Sequence, residues 1–356
     1  MKNPSKRWTL VYYSVSSNEI PNLSLAISRY KRKVGPIEVF ARSRSQLEKN
    51  PQRQQEFIEK ALSADVLVLT LMSGSLSFPA WEKLCEQIEQ ARNQGAPLPY
   101  IHIQPTGSSP AVLELVRTYA DSHAQGHWHT LNQYHRHGGI DNLHNLLTCL
   151  SNICCATDLP CPPPVPLPFD GIYHPDLDYI PDHSRYLQDL DPTKPTVGIW
   201  FYQNFWATKN CAHIDALIHE IERQGANVLC VFHMRFKDRL LGNNGPEEII
   251  EKYFLDQGTP VIDVLLSPVM FSLGMGADAS HPLNRLGVPV IQALSTGQDL
   301  AAWEQSSQGL TNVDITIGVA QPELDGVLIG VPVAAKQTTA MDPLTGAAIN
   351  TYLPLG

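Results

Sequence analysis

No run of apolar residues in this chain approaches the twenty or so that a membrane-spanning helix needs. The N-terminal "MKNPSKRWTLVYYS" also lacks the long apolar stretch of a secretion signal. A GxxxxGK[ST] phosphate loop is absent, as are GxGxxG, the GxSxG of a serine nucleophile and the HExxH of a zinc protease. These absences exclude an integral membrane segment and predict that ATP is not bound by this chain. Cysteine is scarce and irregular, seven residues at 85, 149, 154, 155, 161, 211 and 230. With a chain long enough to build its own core, that pattern predicts a reducing, cytoplasmic setting without disulfides.

Charge is also sparse, 17% of residues, with a formal net of −9. It is uneven. Residues 1–50 hold ten Lys or Arg against three acids, so the remainder is acidic. The densest basic run, "SRYKRKVGP" at 28–36, reads as a solvated helix end. Without an aromatic stacking platform or zinc module beside it, no nucleic-acid partner is expected.

What remains is globular: 356 residues, 43% hydrophobic, with 28 prolines and 23 glycines. That is room for two or three domains. Strands are predicted at 8–15, 37–42, 65–72 and 99–105, and helices at 22–33, 45–64 (broken near Pro51), 78–95 and 109–120, the last capped by Ser109. Such alternation implies a parallel sheet covered on both faces. The histidine-crowded stretch 121–152 reads as an exposed polar connector. The piece at 159–181, with six prolines between 160 and 168, reads as an extended, stiff linker.

The alternation then resumes, with strands at 196–203, 227–234, 261–269 and 288–294 and helices at 211–225 and 245–258. The fold class is therefore α/β, two three-layer units with largely parallel sheets joined by a Pro-rich linker. The expected boundaries are 1–158 for the first domain, 159–192 for the linker and 193–356 for the second. The ending "TYLPLG" carries no cap or closing helix, and the expectation is a piece of a longer chain.

Two acids draw attention in "DITIGVAQPELDGVLIGVPVA". Glu323 and Asp325 are predicted to lie in a tight turn between two apolar strands. A carboxylate there faces desolvation, which raises its pKa and suits proton transfer. Asp325-Gly326 also makes an ordinary turn. Open α/β sheets seat ligands beyond the carboxyl ends of strands, which is where the loop "MFSLGMGADAS" falls. Ser272 and Gly274, in that loop, are candidate substrate contacts. Cys211 also sits at a helix start, where a thiol pKa falls. No metal centre is assigned. Among the histidines, His127, His129 and His174 are the candidates, although no cysteine pair frames them.

In order along the chain, "GIYHPD", "VGIWFY", "HIDALIHEIERQGANVLCVF", "VIDVLLSPVMFSLG", "LNRLGVPVIQAL" and "VAQPELDG" resemble the large subunit of cobaltochelatase and magnesium chelatase, the CobN/Mg-chelatase family, in its N-terminal portion. The resemblance is specific from about 165 to 335 and extends by arrangement alone over 8–160. It implies a tetrapyrrole, a corrin or a porphyrin, as substrate and divalent cobalt or magnesium as the metal inserted. It also implies partnership with an AAA+ ATPase subunit and a companion subunit that spend the ATP. Glu323 carries over as the catalytic acid, with Asp325 and Gly326 as its supporting turn. Where such subunits often carry Arg after "FY" and Gly-Asn before the next helix, this chain has Gln203, and Lys209 precedes Asn210, so the resemblance implies Lys209 and Asn210 as substrate contacts, with an altered positive handle for a tetrapyrrole carboxylate. The alternative implied function is a tetrapyrrole-binding or carrier module without catalysis.

Overall fold

Alternation along one strand sets out the first unit. In β1 (Trp8–Ser14), Trp8, Leu10 and Tyr12 pack with helices Ile20–Lys33 and Gly139–Cys155, while Val11 and Tyr13 pack with helices Pro51–Ser63 and Trp81–Asn93. Both faces are therefore covered, which explains the unbroken apolar run of β3 (Val66–Met72). With β2 (Ile37–Ser43) and β4 (Tyr100–Thr106) these strands form a parallel sheet in the order β2-β1-β3-β4. The computed structural model describes residues 7–72, 77–106, 110–234, 237, 241–273, 281–305, 307 and 309–355. Gly274 and Ser109 fall outside them.

The chain divides into two units, residues 1–167 with 339–350 and residues 168–338 with 351–356. Within the first, the expected polar connector is helical instead: Asp121–Ala124, Trp128–His137 and Gly139–Cys155. Leu143, Leu146, Leu147 and Leu150 recur at helical spacing and are buried in the core with helix Ile20–Lys33, which overrides the polar composition between them. The first part of the Pro-rich piece lies back along the longest of these helices. Asn142 exchanges two 2.8 Å hydrogen bonds with the Val165 backbone, Asn152 holds Leu159 in the same way, and the Tyr134 hydroxyl donates to the Pro162 carbonyl. That course also brings Cys161 onto Cys149, and the two form a disulfide, contrary to the expectation of none. The basic helix end is as expected: Lys31, Arg32 and Lys33 occupy the last turn of Ile20–Lys33.

A seven-stranded sheet has the order β13-β12-β11-β10-β6-β7-β5, and its strands lie in the second unit except for residues 339–341 and 348–350 of the last two, which count with the first. Its strands are β5 (Asp170–Ile172), β6 (Thr196–Tyr202), β7 (Asn227–His233), β10 (Val264–Ser267), β11 (Val290–Asp299), β12 (Leu328–Met341) and β13 (Ala348–Pro354). β5 runs antiparallel to β7, and the ladders joining β7, β6, β10, β11 and β12 are parallel. Trp200 and Leu265 face one core, with Ile249 and Phe254. Ile199 and Phe201 face the other, with helix Ala212–Arg223. The helix predicted over 245–258 ends at Phe254, where the chain turns into the short hairpin of β8 (Leu255–Asp256) and β9 (Thr259–Pro260). Among the described residues no helix is long and apolar enough to cross a membrane.

Candidate functional site

The segment expected to be a strand before the two acids is helical. Thr311 opens it: its hydroxyl accepts from the Asp314 amide at 3.1 Å, and the Asp314 carboxylate accepts back from the Thr311 hydroxyl and amide. Asp314 is buried and also receives Thr296 Oγ1 and the Gly297 amide. The chain then runs as a π-turn, Ile315–Ala320, into the helical turn Gln321–Leu324. The β-branched "ITI" suggested a strand, but the cap and the Asp314 anchor select the helix.

"PELDG" is the end of that helix. The Gly326 amide donates to the Glu323 carbonyl at 3.0 Å and the Val327 amide to the Pro322 carbonyl at 3.1 Å. Gly326 has φ +79°. This is a Schellman stop, in which the left-handed residue is Gly because a Cβ would be strained there. β12 starts two residues later.

The two acids therefore have opposite surroundings. Asp325 is the buried one, with 5% of its side chain exposed. It accepts from Ser272 Oγ and from the Leu273 amide, both at 2.6 Å. His281 Nε2 stands 3.0 Å from Asp325 Oδ1, off the axis of a well-aligned hydrogen bond. Its Nδ1 accepts from the Leu283 amide at 3.3 Å, which puts the ring proton on Nε2, facing the carboxylate. Glu323 is exposed, so the expected desolvation is absent at Glu323 and is found two residues on.

Asp325 thus ties the helix end to the loop that leaves β10. The same loop is held from other sides. Tyr202 Oη donates to the Met270 carbonyl at 2.7 Å, and the Gln321 side chain accepts from the Ser272 amide at 3.2 Å. The Phe271 amide donates to the Ile317 carbonyl at 2.6 Å. Phe271 has φ +74°, a strained conformation for a bulky residue that persists only where its surroundings impose it. The result is a strained loop at the carboxyl end of a central strand, clamped to a helix end that presents an exposed glutamate.

Of the sequence candidates, the structure joins Ser272 to Asp325. Lys209 is exposed with φ +56°, and Asn210 is buried with its side-chain oxygen accepting from the Tyr352 amide at 3.0 Å. Asn210 is thus a strut for the end of β13. Cys211 departs from expectation: burial, then the nearby Asp215 charge, pushes its thiol up to about 12. His127 and His129 are exposed and occupied locally, His127 with the Tyr100 hydroxyl and His129 with Gln133. His174 lies elsewhere, in the second unit, against Glu222. Among the described residues no three His, Cys, Asp or Glu side chains are already gathered as a metal centre. His281 escaped sequence reasoning. Its only local signal is its place before Pro282, where it caps the short 3-10 turn Pro282–Arg285.

A family model described as CobN/Magnesium Chelatase matches residues 132–355. The chain is 31% identical over 294 residues to an uncharacterized protein of Methanocaldococcus jannaschii, covering 80% of this chain and 23% of that one. It is 32% identical over 211 residues to a magnesium-chelatase subunit from Cereibacter sphaeroides, covering 56% and 17%. It is 32% identical over 163 residues to an aerobic cobaltochelatase subunit, CobN, from Sinorhizobium, covering 45% and 12%. The chain therefore spans about a quarter or less of the length of these relatives. In fold it resembles the catalytic subunit of cobaltochelatase from Mycobacterium tuberculosis, with a TM-score of 0.51 and 22% identity over 98% of this chain and 26% of that one.

Proposed function

The chain belongs to the CobN/Magnesium Chelatase family, and from that premise we propose that it is part of the large subunit of an ATP-dependent metallochelatase. In this reading it binds a tetrapyrrole and takes part in inserting divalent cobalt or magnesium. An AAA+ ATPase subunit and a companion subunit supply the ATP-driven step, since this sequence has no phosphate-cradling loop.

Insertion replaces the inner N–H protons of the macrocycle, two in a porphyrin and one in a corrin, with a metal ion, so a base must meet the macrocycle as the ion arrives. The observation that carries the assignment is the contrast between the two acids. Glu323 is exposed and can reach a substrate, whereas Asp325 is buried and engaged. Glu323 is the proton acceptor. Asp325 is a positioning residue that fixes the helix end bearing Glu323 against the Met270–Leu273 loop. Preorganisation of this kind lets a carboxylate act without reorganising at the moment of transfer. Ser272 and Gly274 in or beside that loop, and Lys209, contact the macrocycle or its carboxylates.

The test is a titration of the 356-residue chain with a porphyrin and with a corrin, followed by quenching of tryptophan fluorescence. Saturable binding of one macrocycle per chain is expected. Absence of quenching with either macrocycle would contradict the reading.

A further inference from the structure

In the second unit, the end of β13 gathers polar side chains against the start of helix Ala212–Arg223. Residues 342–347 alone join β12 to β13, so these neighbouring strands are antiparallel. The Leu355 amide donates to the Val333 carbonyl at 2.8 Å, while the Tyr352 amide is turned the other way, onto Asn210. Counting back from the Val333–Leu355 pair places Lys336 directly opposite Tyr352. That is a non-hydrogen-bonded position, where facing side chains stand closest. The Tyr352 ring in turn meets His213, in the first turn of the helix, at 5.6 Å between centroids, and Phe205 at 5.5 Å. Phe205 closes the group, 5.0 Å from His213.

Two of these side chains are donors without an acceptor among the described residues. His213 is 1% exposed and neither ring nitrogen has a partner, although one of them carries a proton. The Lys336 amine is partly buried with no carboxylate paired to it, and burial lowers its pKa. Burial, then the Asp314 charge, pushes the Tyr352 hydroxyl up to about 12, so it too stays a donor. The flanking acids are committed elsewhere. Asp299, the cross-strand partner of Lys336 on β11, accepts from the Ala301 amide at 3.1 Å, and Asp314 accepts from Thr296, Gly297 and Thr311. An unpaired ammonium and a buried imidazole N–H cost free energy that a bound anion would offset.

We infer that Lys336, His213 and Tyr352 form a binding site for a carboxylate group and, on the tetrapyrrole reading above, on which this inference rests, for a peripheral carboxylate of the macrocycle. The ammonium supplies charge, and the imidazole N–H and phenol O–H supply directed hydrogen bonds. The first turn of helix Ala212–Arg223 adds the positive end of a helix whose N-cap, Cys211, gives no side-chain bond. Lys336 is paired with Asp299, the last residue of β11, so the site lies at the carboxyl ends of the parallel strands, the edge at which such sheets seat ligands. Phe205 and Tyr352 add flat apolar surface beside the charge. That suits a carboxylate carried on a large planar body better than a small inorganic anion.

The test titrates the 356-residue chain with a dicarboxylic porphyrin and with its neutral diamide, reading the quenching of the tryptophans, among them Trp206, next to Phe205 in the chain. The acid is expected to bind about tenfold or more tightly than the diamide, the scale of a charge-assisted hydrogen bond. Lys336→Met should weaken binding of the acid by that factor and leave the diamide unchanged. Tyr352→Phe, which removes only the hydroxyl, should weaken the acid by about threefold or more. Lys31→Met, in the first unit, should change neither. Equal binding of acid and diamide by the parent chain would overturn the inference and leave the tetrapyrrole reading in place. So would a Lys336→Met chain that loses both ligands equally, the mark of a structural role, or one that binds the acid as the parent does. Binding of neither ligand would overturn the reading and the inference together.

Discussion

Replacing Asp325 with asparagine removes a charge while keeping the shape, and the structure makes the consequence calculable. The carboxylate is 5% exposed and accepts two hydrogen bonds of 2.6 Å, from Ser272 Oγ and the Leu273 amide, with the His281 Nε2 proton donor 3.0 Å away. Asparagine keeps one acceptor oxygen. If it serves the Leu273 amide, the new NH2 group faces Ser272, which can rotate to accept, and His281, which cannot while its Nδ1 holds the Leu283 amide. The variant thus loses charge assistance on two bonds and sets one donor against another. Hydrogen bonds to charged groups are each worth about 1.5–3 kcal/mol, and partial rescue by Ser272 reduces the total. The expected loss is about 2–3 kcal/mol, larger than the ~1 kcal/mol of an ordinary turn bond. Two readouts check it. Urea unfolding followed by the tryptophans of the second unit should shift to lower denaturant, and the peptide containing Leu273 should exchange its amides faster. A cycle with Ser272→Ala should give a coupling of about 1 kcal/mol or more, since the two side chains touch. A loss below about 0.5 kcal/mol with additive effects would refute the claim that Asp325 clamps the loop.

Two further outcomes rest on other parts of the fold. His213 and His233 are buried neutral, and burial lowers both to about 4 from the ordinary value near 6.5. Between those values the unfolded chain binds protons that the folded chain cannot, so stability falls as pH drops from about 6.5 to 4, by up to ~1.4 kcal/mol per pH unit for each ring. A urea midpoint unchanged between pH 7 and 5 would contradict this. Among glycines, a Cβ at Gly330 would lie 2.5 Å from the Gln292 backbone carbonyl, whereas one at Gly326 meets nothing within 4 Å. Gly330→Ala should therefore cost several kcal/mol and Gly326→Ala only about 1 kcal/mol of left-handed strain. Equal losses in thermal denaturation would refute the distinction.

The α/β layout was legible because it rests on local patterns. "DVLVLTLM" reads as a doubly covered strand, and it is one from Val66 to Met72. Pro51 breaks a helix where expected, with Asn50 capping the helix Pro51–Ser63. The failures share a cause in contacts between residues distant in sequence. "ITIGVA" has strand propensity, but Asp314 is committed to Thr296 and Gly297 on a neighbouring strand, and that fixes a helix. The polar 121–155 stretch hides its leucine stripe among histidines and asparagines, some of which are themselves buried: His137 and Asn132 are at 9% and 2% exposure. Asp325 looked like a simple turn former because its partners, Ser272, Leu273 and His281, lie more than forty residues earlier in the chain. His281 acquires meaning only through that contact. The Cys149–Cys161 bond depends on the Pro-rich segment doubling back along a helix, which no cysteine spacing announces.

The proposed function rests on a division of labour between the two acids of "PELDG". It is tested most directly by metal insertion, followed by tetrapyrrole absorbance, in the complete chelatase assembled with its ATPase partners. Glu323→Gln is predicted to lower the insertion rate by about 10²-fold or more, the scale of one acid–base contribution, while folding and tetrapyrrole affinity stay near those of the parent. Asp325→Asn should lower stability and insertion together. Normal insertion by the Glu323→Gln enzyme would contradict the claim and leave "PELDG" as a helix stop alone.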